Sequence, residues 1–253
     1  IGGKVKSFDG AQAKSMPGVQ AVVQVSDGVA VVADSWWRAK KAAEKLSIQW
    51  DEGAVASISD ASMLEGNRAA AKSGKVIPII ASKGDVAKAF QGAAKVLEAE
   101  YITPMQSHSP LEPMNFTAHV TGGKALLIGP TQFQQGAQGA TAAALGMKPE
   151  DVDVRTTYLG GGFGRRIELD FIMQAAQISK AVGKPVKLVW SREDDMTQGP
   201  SRPGMLDRLE GAIDEKGALV AHHHQIVGSS IQHQVFGVPL KDKADDWAHE
   251  TAN

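Results

Sequence analysis

Residues 160–164 read Gly-Gly-Gly-Phe-Gly and are followed by Arg165 and Arg166. Four glycines in five positions let main chain approach a ligand closely and reach dihedral angles that other residues avoid. The run lies between a strand-like stretch, residues 152–159, and a segment with helical spacing. It is predicted to feed a helix N-terminus, where unpaired amides and the helix dipole favour anions. The two guanidiniums would add forked cationic donors. Such a composite suits phosphate, an oxyanion or a metal-bound oxo group. On the loop alone a second reading stands beside it, a glycine turn that only permits tight strand-to-helix packing. Two familiar phosphate loops do not match: Arg165-Arg166 stand where a P-loop has Gly-Lys-Ser/Thr, and Arg165 occupies the third glycine position of the dinucleotide fingerprint.

A second loop, residues 129–135, also falls between a strand and a helix. If its strand neighbours the one before Gly160, both loops open at one carboxyl edge of a sheet, where α/β proteins hold ligands. Gln132 there carries an amide that donates and accepts. His108 and Glu112 are four apart but flanked by prolines, so a helical metal pair is excluded and hydrogen bonding that pins the loop is expected. His222-His223-His224 would place only His222 and His224 on one strand face, with no further ligand evident. Glu193, Asp194 and Asp195 could pair for acid–base work, but solvated loop charges are the plainer expectation. Trp36 and Trp37 are expected to wedge into a local core or a partner face.

The elements that must position these residues follow from periodicity and punctuation. Residues 1–50 read as a small α/β unit. Asp9 is placed to cap a short helix over 10–16, strands run over 19–25 and 29–33 around the Asp27-Gly28 turn, and Asp34 or Ser35 caps a helix to Leu46. Residues 60–73 suit a helix, 84–94 a short one, and 96–102 and 125–128 strands. Thr131 is placed to cap a helix that ends at Gly146. A helix from near Arg166 to Val182 carries Ile167, Phe171, Ile172, Ala175, Ile178 and Val182 on one face. A strand follows at 186–190, and 209–213 with 219–227 form a pair turned at 214–217.

Composition narrows the class. The 253 residues are 43% hydrophobic and 22% charged with a formal charge of -1, which fits a globular chain and favours neither nucleic acid nor an anionic membrane as partner. The sequence has no cysteine, so disulfides, cysteine-held zinc and protein-held iron–sulfur clusters are excluded within it. No apolar stretch approaches a membrane span. The chain opens Ile1-Gly2-Gly3 without methionine, which predicts that it is part of something longer.

Four ordered motifs now carry a resemblance: Gln106-Ser107-His108-Ser109-Pro110-Leu111-Glu112-Pro113, Gly129-Pro130-Thr131-Gln132, Gly160-Gly161-Gly162-Phe163-Gly164 and Ser191-Arg192-Glu193-Asp194. Together they resemble the large subunit of the molybdenum hydroxylases, the xanthine dehydrogenase and aldehyde oxidase superfamily. The Arg165-Arg166 ending and Glu112-Pro113-Met114-Asn115 resemble its isoquinoline 1-oxidoreductase β-subunit branch. The match runs over most of residues 76–230, and residues 1–50 resemble the end of the family's hammerhead domain.

The resemblance implies an α+β fold: part of a hammerhead-type α/β domain over 1–55, a connecting segment over 56–95, and the first part of a molybdopterin-binding domain with mixed sheets over 96–253. It implies a molybdopterin cofactor, in the cytosine dinucleotide form, carrying molybdenum. Gln132, Gly161, Gly162, Phe163, Gly164 and Arg165 would line the cofactor, with no direct metal ligand. In the family the glutamine matching Gln132 bonds the apical oxo ligand, and the Phe-Gly pair matching Phe163-Gly164 lies beside the metal. The parent would hydroxylate an N-heterocycle or an aldehyde with oxygen from water and pass electrons to a small [2Fe-2S] subunit, and onward to a cytochrome. Ile167 stands where xanthine dehydrogenases place a substrate-contacting glutamate, and Glu168 is one residue late, which points away from purines. No Gly-x-Gly-Glu motif for the general base occurs before Asn253, so the chain alone is expected to be inactive and to hold no cofactor. The periplasm is the family-level location, the cytoplasm the alternative. Outside the family, the same residues allow a self-standing anion- or phosphate-binding module, or a structural docking domain.

Overall fold

The computed structural model describes residues 2–73, 84–240 and 245. The rest of the expected connecting segment, residues 74–83, lies outside them, as do the remaining positions after 240.

The chain opens with β1 (Lys4–Asp9) and the single turn α1 (Ala11–Lys14), started by an Asp9 carboxylate that accepts from the Ala11 amide. β2 (Val19–Val25) and β3 (Gly28–Ala33) form the expected hairpin, its apolar residues half-buried. Ser35 caps α2 (Trp36–Ala43) by accepting from the Arg38 amide, and β4 (Ser47–Asp51) returns to pair antiparallel with β1. α3 (Asp60–Lys72) begins with a reciprocal Ser59–Ser62 capping box. α4 (Val86–Gln91), β5 (Lys95–Thr103) and the two-residue β6 (Gln106–Ser107) follow.

Next come β7 (Asn115–Thr121), β8 (Lys124–Gly129), α5 (Gln134–Leu145) and β9 (Val152–Thr156). Gly146 closes α5 in the left-handed conformation. α6 (Asp170–Val182), β10 (Val186–Val189) and α7 (Arg192–Thr197) complete this stretch. β11 (Ser201–Arg202), β12 (Met205–Ile213), β13 (Leu219–Gly228) and α8 (Ile231–Phe236) finish the described chain.

The elements gather into two compact units. One is built from residues up to 57 together with 107–200, the other from 58–106 together with residues from 201 onward. In the first, a mixed sheet runs β10-β7-β8-β9. β8 and β9 are parallel, joined by α5, and β7 is antiparallel to both its neighbours. β7 was not predicted, although Phe116 and Ala118 alternate with polar residues and are fully buried. α5 and α6 pack on each other, and the core joins Phe116, Ala118 and Leu127 of the sheet to Phe171, Ile172 and Ala175 of α6. The Phe116 and Phe171 rings meet edge-on with centroids 5.9 Å apart. The β2–β3 turn is tied to α6, where Gln174 donates to Asp27 (2.8 Å) and the Ser26 amide donates to Gln177 (3.0 Å).

The second unit carries the antiparallel sheet β13-β12-β5 with α3 alongside. The Asp214 carboxylate accepts from the Lys216 and Ala218 amides and so fixes the expected turn between β12 and β13. The three histidines are exposed; His223 bonds Glu210 and His224 bonds Asp207, and no metal-ligand cluster occurs among the described residues. Among the described residues no helix is long and apolar enough to cross a membrane.

Candidate functional site

Because β8 and β9 are adjacent and parallel, the turns that follow them emerge at the same carboxyl edge. The 129–133 and 160–164 loops therefore meet. The Gln132 Oε1 accepts from the amide of Gly164 (3.1 Å) and of Arg166 (3.3 Å). Two main-chain donors admit only the oxygen at that point, so the orientation of the amide is fixed by its partners. Its Nε2 is left as a donor with no protein partner among the described residues. The residue as a whole is exposed.

The glycine run is shaped by close approach. A Cβ on Gly162 would lie 2.7 Å from the Gln132 Cδ and closer still to its oxygen. A Cβ on Gly160 would run into the Cβ of Glu112. Gly161 and Gly164 take φ of +99° and +92°, and Phe163, at φ +54°, is a left-handed non-glycine residue, 62% exposed. The amides of Gly161 and Gly162 donate to nothing among the described residues. The amides of Gly161 and Gly162 and the Gln132 side-chain nitrogen are thus unused donors among the described residues, on a loop where a Cβ at 160 would meet the Glu112 Cβ and one at 162 would displace the Gln132 side chain.

The prediction that this loop feeds a helix directly is corrected. Arg165–Ile167 form a single 3-10 turn, Glu168 is extended, and α6 begins at Asp170. The cause lies in Arg166, whose carbonyl accepts from the Gln132 amide (3.0 Å) and the Thr131 hydroxyl (3.2 Å) rather than continuing a helical ladder. Thr131 consequently does not cap α5; its hydroxyl accepts from the Phe133 amide, and Phe133 occupies the cap position with no side-chain bond.

The two arginines also differ from expectation. Both side chains are turned inward, 1% and 0% exposed. Arg165 makes a two-pronged pair with Asp170 (2.8 and 2.8 Å) and lies against the Phe171 and Trp190 rings. Arg166 donates to the Gly161 carbonyl (2.8 Å), the Glu112 carbonyl (2.8 Å) and the Glu112 carboxylate (2.9 Å). Neither guanidinium faces outward as an anion donor, so anything Arg165 offers a ligand comes from its main chain. Burial presses the Arg166 pKa below its ordinary value, and the Glu112 and Asp195 charges oppose that shift.

Glu112 pins its loop as expected, and the partners are now known. Its carboxylate accepts from the Gly160 amide (2.8 Å) and from the Asn115 side chain (3.0 Å), while its own amide donates to the Gly160 carbonyl (3.0 Å). His108 contacts the Pro200 carbonyl through Nδ1 (3.2 Å). Of the acidic trio, Glu193 is a surface charge, Asp194 makes a capping box with Ser191, and Asp195 is buried. Asp195 pairs with Arg192 (2.8 Å), which also donates to the Pro110 and Leu111 carbonyls. Burial raises the Asp195 pKa, opposed by Arg192, Arg165 and Arg166. Burial, aided by the Asp170 charge, raises that of Glu168. Trp36 is half-exposed with its Nε1 on the Val189 carbonyl, and Trp37 is 59% exposed.

A mixed sheet whose two loops meet at one carboxyl edge is an arrangement in which α/β proteins hold ligands, and comparison with known proteins gives the family. The model of the molybdopterin cofactor-binding domain matches residues 70–237. The isoquinoline 1-oxidoreductase subunit beta of Brevundimonas diminuta is 31% identical over 246 residues, which is 90% of this chain and 30% of that protein. A Gluconacetobacter polyoxogenes protein named membrane-bound aldehyde dehydrogenase [pyrroloquinoline-quinone] is 31% identical, covering 88% of this chain and 30% of its own length. The aldehyde oxidoreductase of Desulfovibrio gigas superposes with a TM-score of 0.68 at 20% identity, over 89% of this chain and 29% of that one. The chain belongs to the molybdopterin cofactor-binding family of molybdenum hydroxylase large subunits. It spans 30% of the length of each of these two curated relatives.

The residues present fit such a group. A pterin with a metal–oxo centre carries oxygens and ring nitrogens that accept hydrogen bonds, and Gln132 Nε2 and the amides of Gly161 and Gly162 are donors at this edge without a protein partner among the described residues.

Proposed function

We propose that this chain supplies the oxo-facing side of a molybdopterin site in a longer oxidoreductase, one that hydroxylates an aldehyde or an N-heterocycle. The observation that carries the reading is the fixed amide of Gln132, with its oxygen held by Gly164 and Arg166 and its nitrogen left without a protein partner among the described residues. When bound, the cofactor supplies the two-electron oxidation and activates the water-derived oxygen. The chain's own groups bind and orient. Gln132 would donate to an oxygen on the metal, Gly161, Gly162 and Gly164 would let main chain approach it, and the exposed Phe163 ring would wall the substrate side. Arg165 would contribute through its backbone and hold the turn through Asp170.

In the same proposal residues 1–55 are hammerhead-like, 56–95 connect, and 96–253 begin the cofactor-binding domain. The cytosine dinucleotide form of the cofactor, a small [2Fe-2S] subunit and a cytochrome as electron acceptors belong to it too. A free-standing anion module is disfavoured by the inward turn of both arginines.

The test is made on the full-length protein. Metal and pterin analysis should find molybdenum, and Gln132→Ala should lower turnover roughly 10–100-fold with the fold intact. A metal-free parent, or full turnover in the variant, refutes the assignment.

A further inference from the structure

Arg166 touches all three loops of the site. Its guanidinium holds Glu112 and the Gly161 carbonyl, its amide reaches the Gln132 oxygen, and its carbonyl accepts from Gln132 and Thr131. It is fully buried, so it has no route to a ligand. A buried ion pair is a poor device for stability, because desolvation cancels most of the attraction. A planar fork is, however, suited to holding several acceptors at set angles, which a lysine ammonium does not do. Glu112 completes the arrangement by clamping Gly160: its carboxylate accepts from the Gly160 amide and its own amide donates to the Gly160 carbonyl.

We propose that Arg166, held by Glu112, is the positioning residue of the site: it fixes the spacing between the Gln132 amide and the unused amides of Gly161 and Gly162 without touching the ligand. The inference rests on the reading of that edge as a cofactor cradle.

The experiment uses Glu112→Gln and Arg166→Lys in the full-length protein, with hydrogen exchange followed by mass spectrometry and molybdenum counted per chain. Glu112→Gln keeps size and removes charge; Arg166→Lys keeps charge and removes the fork. In both, exchange over 157–167 should quicken roughly threefold or more while β7 and α6 stay at the unsubstituted protein's rates. Molybdenum content should fall in parallel. Unchanged exchange over 157–167 overturns the proposal. So does an equal increase across β7 and α6, which would mark the pair as general support for the fold. If Arg166→Lys does not fold, Glu112→Gln decides alone. Absence of molybdenum from the unsubstituted protein would sink the cofactor reading instead, while the exchange pattern would still judge the clasp.

Discussion

Replacing Gly162 by alanine isolates the contact on which the site depends. Gly162 does not have the positive φ of its neighbours, so the alanine backbone is unstrained. The difficulty is spatial: the new methyl would stand 2.7 Å from the Gln132 Cδ. The glutamine is a flexible side chain and can leave, so the penalty is bounded by what holds it. That is two hydrogen bonds, from Gly164 and Arg166, each contributing about 1 kcal/mol net, or about 2 kcal/mol together. Thermal unfolding should shift down by roughly 4–8 °C for a domain of this size. Gln132→Ala removes the same two bonds and should cost about the same. Adding Gly162→Ala to it should then cost almost nothing, because the clashing group is gone. The double-mutant cycle should give a coupling of about 2 kcal/mol, read from denaturant unfolding at 25 °C. Additivity within about 0.5 kcal/mol would refute the reasoning, since it would mean the two residues are not in contact.

Three further outcomes are expected. Gly160→Ala should cost more, about 2–3 kcal/mol in urea unfolding, because the clash is with the rigid Cβ of Glu112; Glu112→Gln should not relieve it, and relief by that change would contradict the geometry. Asp170→Ala should destabilise by about 2–3 kcal/mol, since it removes both hydrogen bonds of the buried Arg165 guanidinium and leaves it only the Asp195 and Glu168 charges; a loss under about 1 kcal/mol in the same assay would argue that Arg165 is solvated. Glu168→Gln should stabilise at pH 7. A carboxyl whose folded pKa is raised favours folding when protonated and loses that contribution as pH climbs through the raised value. The advantage of the amide should therefore vanish as pH falls below the ordinary glutamate value of 4.5, and a pH-independent difference in unfolding midpoint would rule the cause out.

Local signals carried far in this sequence. The β2–β3 hairpin, the Ser35 cap and the Gly146 stop each depend on two to six neighbouring residues, and each is found where read; the helix read over 60–73 is present as α3, though its Ser59 cap was not singled out. The meeting of Gln132 with the glycine loop was also legible, because parallel strands joined by a helix place their following turns together. Partner choice was not legible. Arg165 and Arg166 look alike in sequence, yet one selects Asp170, five residues away, and the other Glu112, fifty-four residues away. Nothing local separates these from outward-facing cations. The late start of α6 escaped for the same reason, since the Arg166 carbonyl is drawn off by residues thirty-five positions earlier. β7 left a usable trace in the alternation of Phe116 and Ala118 with polar residues, obscured by the prolines just before it.

The first unit is assembled from two stretches of chain separated by residues 58–106. This has a consequence for how the polypeptide is born. At about 5–20 residues per second, roughly 7–30 s pass between the ribosome's release of residue 57 and of residue 200. Through that interval Asp27 awaits Gln174, and the Trp36 indole awaits the Val189 carbonyl. The early hairpin emerges as a half-made interface whose other side is still being translated. A nascent chain stalled before α6 should expose the β2–β3 surface to chaperones, and one stalled after residue 200 should have hidden it.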